Sequence, residues 1–245
     1  MNQKALYGIL IAVVVILLGL WAFRANRADA PSDVSTTTPA TTTTTTVETT
    51  TTAPVSPASP AVGPSQGNLV DGGYTLSVEE SLISWTGSKP LVPGYVDTGT
   101  LNLKSGSMVK VTNGNIAEGE FFIDMDSLKV MTSSNTKVGL DKLEGHLRSE
   151  DFFSIEAYPN AGFVIKNVTN GTVTGDLTIK GITKTITFPA KIESETDTRI
   201  VADASVILNR ANWDIRYGSG SFFEDLGDSI IDDKIVINLH LVATK

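Results

Sequence analysis

The chain has 245 residues, of which 19 are basic and 27 acidic, with a formal net charge of −8 and no cysteine. From residue 71 onwards there are 16 basic and 24 acidic residues, so the net charge belongs entirely to that part. An acidic domain lacks the basic surface that a nucleic-acid partner requires, and the absence of cysteine excludes disulfides, thiol catalysis and zinc-finger sites.

The N-terminus carries an apolar segment of membrane-spanning length. Residues 6–23 contain no charged side chain, and a helix of this length measures about 27 Å, close to the hydrocarbon core of a bilayer. We expect residues 1–27 to form a transmembrane anchor or uncleaved signal that places the rest of the chain outside the cytoplasm, in the periplasm or at the cell surface. The alternative is a cleaved signal peptide and a secreted domain, since residues 28–30 have the small residues of a cleavage site.

Residues 28–70 have the composition of a linker. Thirteen threonines lie between Ser35 and Thr52, and six of the ten prolines lie between Pro31 and Pro64. Such a segment has little apolar surface to bury and cannot offset its ordering entropy. We therefore expect a disordered tether, with O-glycosylation of the threonines left open.

Residues 71–245 mostly alternate apolar and polar positions, which indicates half-buried antiparallel strands. Turn-forming sequences separate the alternating segments, among them Asn113-Gly114, Asn170-Gly171 and Lys180-Gly181. About eight strands in an all-β domain are predicted. A closed barrel is favoured over a twisted sandwich because closure removes exposed strand edges.

Two segments break the alternation. Residues 137–149 place Leu140, Leu143 and Leu147 on one helical face, with Asn135 or Thr136 as the N-cap. Residues 211–223 are rich in aromatic side chains, glycine and serine, and are predicted to form an irregular crossing segment with a short helical turn. The barrel is thus expected to contain one or two short helical insertions.

Three motifs lie in the second half of the domain. In chain order they are HLRSEDFF with the following YP at 146–159, GDLTIKGITKTITF at 175–188, and NRANWDIRYGS at 209–219 followed by the last strand. Together they resemble the YceI-like family over residues 72–245. The resemblance implies a lipocalin-like antiparallel barrel with a long apolar tunnel, as in exported bacterial proteins that bind polyisoprenoids or similar lipids. Asn209 stands where the family usually has Asp, so the identity of the lipid stays open.

The residues give little support for catalysis or metal binding. The only histidines are His146 and His240, and nothing resembles a G-x-S-x-G nucleophile turn. The acidic run at 224–233 lacks the alternating ligand spacing of a calcium loop and is interpreted as a solvated loop. We predict no catalytic residue, no metal site and no cofactor.

The strand pattern predicts which apolar side chains point into the barrel. A dry, packed core is the alternative suggested by periodicity alone, whereas the resemblance implies that these side chains line a lipid tunnel. The predicted lining residues are Leu101, Leu103, Phe121, Ile123, Met125, Phe163, Ile165, Leu177, Ile179, Phe188, Val206 and Leu208.

The mouth of such a tunnel requires polar partners for a head group and an apolar lip. Arginine can bind a phosphate or a carbonyl, and the predicted head-group ligands are His146, Arg210, Arg216 and Tyr217. The predicted lip consists of Phe152, Phe153, Trp213, Phe222 and Phe223. In the alternative interpretation, Arg210 and Tyr217 brace the crossing segment.

The sequence thus favours a non-enzymatic module that binds, sequesters or transports a long-chain apolar lipid, such as an isoprenoid quinone or polyprenyl phosphate. Its partners are then the lipid and the membrane, and dimerisation is left open. The alternative is a stalked, surface-displayed structural or interaction module with a packed core. A lipid-modifying enzyme is the third hypothesis.

Overall fold

The computed structural model describes residues 69–245, and the anchor and most of the linker predicted above lie outside these residues. The described part contains one helix, α1 (Leu140–Arg148), and two 3-10 turns, Arg210–Trp213 and Gly227–Ser229. Its ten strands are β1 (Gly72–Leu76), β2 (Leu82–Ser88), β3 (Val96–Leu103), β4 (Met108–Thr112), β5 (Asn115–Ser133), β6 (Asn160–Thr169), β7 (Thr172–Ile179), β8 (Ile182–Thr196), β9 (Arg199–Asn209) and β10 (Lys234–Thr244). No helix among residues 69–245 is long and apolar enough to cross a membrane.

The ten strands form a closed antiparallel barrel with eight positions around its circumference. β1 and β2 lie end to end and both pair with β10, and β3 and β4 lie end to end and both pair with β5. Each of these two pairs of strands therefore occupies a single position in the ring. The remaining strands each pair with the next in the chain, and the pairing of β5 with β6 closes the ring. The predicted all-β closed barrel of eight strands with a short helix is confirmed.

A buried serine bridges each of the two interrupted positions. Between β1 and β2, the N–H of Val242 donates to Ser81 Oγ at 3.0 Å. Between β3 and β4, the N–H of Phe122 donates to Ser107 Oγ at 2.9 Å, and that hydroxyl lies 3.0 Å from the carbonyl of Lys104. Because a buried main-chain donor needs a partner, each hydroxyl replaces a bond that a continuous strand would make.

Tight hairpins connect β6 to β7 and β7 to β8. Asn170 and Gly171 have φ angles of 50° and 70°, and Lys180 and Gly181 have angles of 50° and 71°. Two successive positive φ angles are those of a type I′ turn, whose twist matches that of the flanking strands. The turns predicted from these two dipeptides are confirmed.

The helix α1 begins differently from the prediction. Its N-cap is Gly139, which makes no side-chain cap, whereas Asn135 Oδ1 accepts from the N–H of Lys137 in the preceding turn. The predicted cap at Asn135 or Thr136 is wrong because the chain makes this additional turn before the helix starts. On its inner side, α1 packs against β5, where Glu144 Oε2 accepts from the N–H of Val130 at 3.1 Å.

Candidate functional site

The barrel encloses a cavity of about 550 Å3, within the range of small-molecule sites. Apolar side chains dominate its wall. Several that point inwards, including Ile237, Leu239 and Leu241 of β10, are only partly buried although they belong to the interior. They keep accessible surface because they face this cavity. The interior is therefore hollow, which the packed-core alternative does not predict.

All twelve residues predicted to point inwards line this cavity, and so do Phe152, Phe153 and Trp213 of the predicted lip. Their part in ligand binding stays a prediction. The prediction missed Ile83 and Trp85 on β2 and the alternate residues of β9 and β10, which follow the same period-two signal. The missed lining residues of these strands are Ile83, Trp85, Gly87, Ser88, Ile200, Ala202, Ala204, Ile235, Ile237, Leu239, Leu241 and Ala243.

Three phenylalanines, on β5, β6 and β8, pack in a row along the cavity wall with Phe163 in the middle. The ring centroids of Phe121 and Phe163 are 6.1 Å apart, and those of Phe163 and Phe188 are 5.7 Å apart. The ring of Phe163 lies over Gly175, where a Cβ would come within 2.4 Å of its Cζ. A glycine on β7 thus makes room for the central ring, and the three rings supply a rigid apolar surface.

The polar lining residues gather at one end of the barrel, which we call the mouth. They come from the end of β2 and the loop after it, the start of β3, the turn before α1, α1 itself, the 3-10 turn and crossing segment after β9, and the loop before β10. Lys142 and Tyr217 are exposed to solvent and also line the cavity, so the cavity opens here. The polar lining residues are Ser88, Lys89, Tyr95, Asp97, Asn135, Lys142, His146, Arg210, Tyr217 and Asp232.

His146 and Tyr217, two of the predicted head-group ligands, meet at the mouth. Their ring centroids are 4.4 Å apart at an interplanar angle of 90°, and Phe152 packs 5.2 Å from His146. His146 Nε2 lies 3.2 Å from Asp151 Oδ2. The helix, the segment after it and the crossing segment therefore form one aromatic cluster at the rim.

Arg210 is buried and its donors are used within the protein. The side chain is 1% exposed, and a guanidinium nitrogen lies 3.2 Å from Asp233 Oδ1. Burial lowers the pKa of Arg210, against the opposing effect of Asp233 and Asp232. Arg210 therefore stabilises the crossing segment, as in the alternative interpretation. With its donors bonded to the protein, it is poorly suited to binding the head group of a ligand. The carbonyls that accept from it are those of Ile215, Tyr217, Ile231 and Asp232, at 2.9 to 3.1 Å.

The remaining predicted residues lie away from the cavity. Arg216 is exposed, pairs with Asp214 and stacks 4.8 Å above the ring of Phe222. Phe222 and Phe223 are 40% and 49% exposed, and neither lines the cavity. The expectation that these three residues form part of the mouth is corrected. The main chain of Ser219 bonds to that of Arg216, Phe222 and Phe223, and the N–H of Ile231 donates to the carbonyl of Gly218. These bonds hold the loop beside the barrel, with the three side chains pointing outwards.

The acidic loop between the crossing segment and β10 makes internal contacts. Asp232 accepts from the main chain of Lys234, and Asp233 accepts from the hydroxyl of Ser221. Within residues 69–245 there is no group of three or more histidine and acidic side chains arranged to hold a metal ion. In the described part of the chain, these aspartates therefore act as loop-stabilising acceptors.

Comparisons with known proteins agree with this architecture. The crystal structure of Burkholderia cenocepacia BcnA has 25% sequence identity and a TM-score of 0.51, covering 69% of this chain and 99% of that one. A polyisoprenoid binding domain from Saccharophagus degradans, implicated in plant cell wall breakdown, has 16% identity and a TM-score of 0.53, covering 70% of this chain and 97% of that one. At this identity the second likeness shows the fold alone.

Sequence relatives match over a shorter segment. The UPF0312 protein SAR2769 of Staphylococcus aureus is 44% identical over 59 residues, which is 24% of this chain and 33% of that protein. The chain thus matches only about a third of the length of such curated relatives. A family model described as the YceI-like domain, by contrast, matches residues 74–243, more than half of the chain. The chain therefore belongs to the YceI-like domain family.

Proposed function

We propose that the barrel binds one long-chain apolar lipid in its cavity and sequesters or carries it without chemical change. The observation that carries this proposal is the hollow apolar interior, which is open at one polar end. An elongated lipid matches that polarity, with its hydrocarbon chain inside and its head group at the mouth. The Saccharophagus degradans relative, named as a polyisoprenoid binding domain, supports an isoprenoid as the class of lipid.

Apolar burial supplies the affinity in this proposal. Each buried CH2 group contributes about 0.8 kcal/mol, so ten buried carbons contribute about 8 kcal/mol. The cost of association offsets part of this energy. A mostly apolar wall with few polar contacts is therefore sufficient for a lipid to bind, while the head group supplies selectivity.

The N-terminal sequence supports a location of this activity at a membrane, outside the cytoplasm. In the proposal, residues 1–27 anchor the chain in a membrane and residues 28–70 tether the barrel outside the cytoplasm. A linker of about 40 residues has a coil span of roughly 35 Å. Such a tether keeps the barrel near the bilayer and shortens the path of an apolar ligand through water.

A variant that fills the cavity tests the proposal. Ala204 lines the cavity from β9, whereas the neighbouring Ser205 does not. We expect Ala204→Phe to reduce uptake of a C20 isoprenoid by at least tenfold, because the new ring occupies the ligand's volume. Ser205→Phe is the matched control and should leave uptake unchanged.

The measurement is native mass spectrometry of the full chain, with organic extraction of whatever lipid copurifies and with added menaquinone-4 after delipidation. A lipid-free protein that takes up no added isoprenoid would refute the proposal and favour the structural or interaction module. Equal uptake by both variants would place the ligand outside the barrel.

A further inference from the structure

The exposed aromatic side chains of the barrel all lie at one end. In the described part of the chain, four aromatic residues are exposed. Tyr217, Phe222 and Phe223 belong to the connection from β9 to β10, and Tyr158 belongs to the connection from α1 to β6. Both connections are at the mouth. Exposed apolar side chains that gather in one place mark a surface that contacts another molecule.

Aliphatic side chains on neighbouring connections extend this surface. Leu91 in the loop from β2 to β3 is 58% exposed, and Leu140 is exposed at the start of α1. The same two segments supply Lys89 and Lys142 to the cavity lining, so these leucines also lie beside the opening. We call the six exposed apolar residues the mouth patch: Leu91, Leu140, Tyr158, Tyr217, Phe222 and Phe223.

The opposite end of the barrel has a different surface. Because neighbouring strands are antiparallel, the turns at 113–114, 170–171 and 197–198 lie at the end away from the mouth. These turns consist of asparagine, glycine, aspartate and threonine. The apolar surface is therefore associated with the opening of the cavity and is not a general feature of the loops.

Hydrogen bonds hold the aromatic pair of the mouth patch in position. The N–H groups of Phe222 and Phe223 donate to the same main-chain carbonyl, and the hydroxyl of Ser221 donates to Asp233, just before β10. The guanidinium of Arg216 lies 4.8 Å over the ring of Phe222. An exposed ring next to a long basic side chain suits the boundary between lipid head groups and acyl chains, where the ring is apolar and the charge stays in water.

The charge of this loop excludes several partners for the mouth patch. Residues 210–233 contain two basic and six acidic side chains. Their field repels nucleic acids and acidic proteins, and residues 210–233 lack the cluster of lysine and arginine that attracts anionic lipids. Apolar burial must therefore supply the attraction, as it does on a bilayer of zwitterionic lipids.

The length of chain before the described residues allows the mouth to reach a membrane. β1 pairs with the last residues of β10, so residue 69 lies near the end opposite the mouth. The roughly 40 residues of the proposed tether span at most about 140 Å when extended, whereas the 11 residues of β10 measure about 36 Å. Attachment at the far end therefore does not prevent the mouth from facing the bilayer in which residues 1–27 are proposed to lie.

We propose that the mouth patch docks on the surface of a lipid bilayer, with Phe222 and Phe223 entering the head-group region. The cavity then opens onto the membrane, and a lipid passes between the bilayer and the barrel without crossing water. A bilayer fits better than a second copy of the chain, because a second copy would cover the opening. The purpose of docking rests on the proposed function, whereas the contact itself is measurable without a ligand.

A single fluorescent label tests the contact, since the chain has no cysteine that would compete for it. The full chain carries an NBD label on Glu224→Cys, beside the aromatic pair, or on Thr172→Cys, at the opposite end; both positions are exposed. Each protein is reconstituted into phosphatidylcholine vesicles that contain TEMPO-phosphatidylcholine, a head-group quencher. We expect quenching at 224 to exceed quenching at 172 by about threefold or more, because only the mouth patch enters the head-group region.

Removal of the aromatic pair is the second part of the test. We expect Phe222→Ser combined with Phe223→Ser to lower quenching of the label at 224 to the level seen at 172, because the two rings supply most of the buried apolar surface. Val164→Ser combined with Ile207→Ser is the matched control, since it removes two exposed apolar side chains from the outer wall of the barrel. The control should leave quenching unchanged.

The outcomes separate the docking proposal from the proposed function. Equal quenching at 224 and 172 would overturn docking, and so would quenching at 224 that survives loss of both rings. Stronger quenching in vesicles enriched in phosphatidylglycerol would overturn the apolar basis of the contact. An unquenched label with a dimer in native mass spectrometry would assign the mouth patch to a second copy. Quenching at 224 without any uptake of menaquinone-4 would support docking and refute the proposed function. If the serine variant does not fold, the comparison of 224 with 172 in the otherwise unchanged chain decides the proposal.

Discussion

Arg210 illustrates, at the scale of a single residue, how a side chain typical of ligand binding can serve the fold. It is the most buried charged side chain in the described part of the chain, and its planar donors reach four carbonyls on both sides of the crossing segment. Lysine keeps the charge but lacks the forked donors. The contact with Asp233 is therefore only one part of what arginine contributes here.

We predict that Arg210→Lys lowers the free energy of unfolding by about 2–4 kcal/mol, because several buried carbonyls lose their donor. Arg216→Lys is the matched control, since Arg216 is exposed and contacts Asp214 at the surface. Denaturant unfolding of both variants checks the prediction. Unchanged stability in Arg210→Lys combined with lost lipid affinity would return Arg210 to the head-group role.

Sequence reasoning identified the lining of the barrel because alternation fixes which side a strand residue faces. It could not assign Arg210, whose partners at 215–232 are brought together only when the loop folds. It also missed Trp85, whose environment depends on Gly99 in another strand. These residues act through partners that are distant in sequence, and no local pattern encodes them.

At the scale of elements, the interruptions of the barrel were also not predicted. Two strands of the ring are broken, and each break depends on a buried serine hydroxyl. Ser107 has no exposed surface, and its hydroxyl oxygen accepts a hydrogen bond from the N–H of Phe122. A serine in a loop carries no signal of this role until the register of β5 is known.

We predict that Ser107→Ala destabilises the protein by about 1–3 kcal/mol, because the buried N–H of Phe122 loses its acceptor. Ser105→Ala, two residues away and exposed, should change stability little. Thermal unfolding of the pair provides the measurement. Equal stability of the two variants would mean that another group satisfies Phe122.

The attachment of α1 to β5 depends on pH through Glu144. The bond from the Val130 N–H, with smaller contributions from Lys129, lowers the pKa of this carboxylate below its ordinary value of 4.5. A group with a lowered pKa in the folded state stabilises the fold above its unfolded pKa and loses this effect as the pH falls through the folded pKa. The contact of α1 with β5 is thus strongest above about pH 5.

We predict that the amide resonance of Val130 titrates with a midpoint below 4.5 and that Glu144→Gln abolishes this titration. Lys129→Ala should raise the midpoint only slightly, because the main-chain bond is the larger cause. NMR titration between pH 3 and pH 7 is the measurement. A midpoint at or above 4.5 in the wild type would contradict the contact.

For the whole molecule, the hollow barrel has a cost in stability. A cavity deprives its lining of contacts, and the chain has no disulfide to compensate. Closure of the ring and the two serine bridges stabilise the described domain instead. A lipid that binds only the folded state stabilises it by an amount that grows with the ratio of lipid concentration to Kd, about 2.7 kcal/mol at one hundred times Kd.

Ala204→Phe therefore separates stability from binding. We predict that it raises the unfolding free energy of the lipid-free protein by about 0.5–2 kcal/mol, the usual gain for filling a cavity. Added menaquinone-4 should then raise the Tm of the wild type but not that of the variant. Calorimetry with and without lipid makes the comparison, and Ser205→Phe should respond to lipid like the wild type. If Ala204→Phe is less stable than the wild type without lipid, the new ring clashes with the cavity wall. If added menaquinone-4 still raises the Tm of Ala204→Phe, lipid binding does not require the open interior.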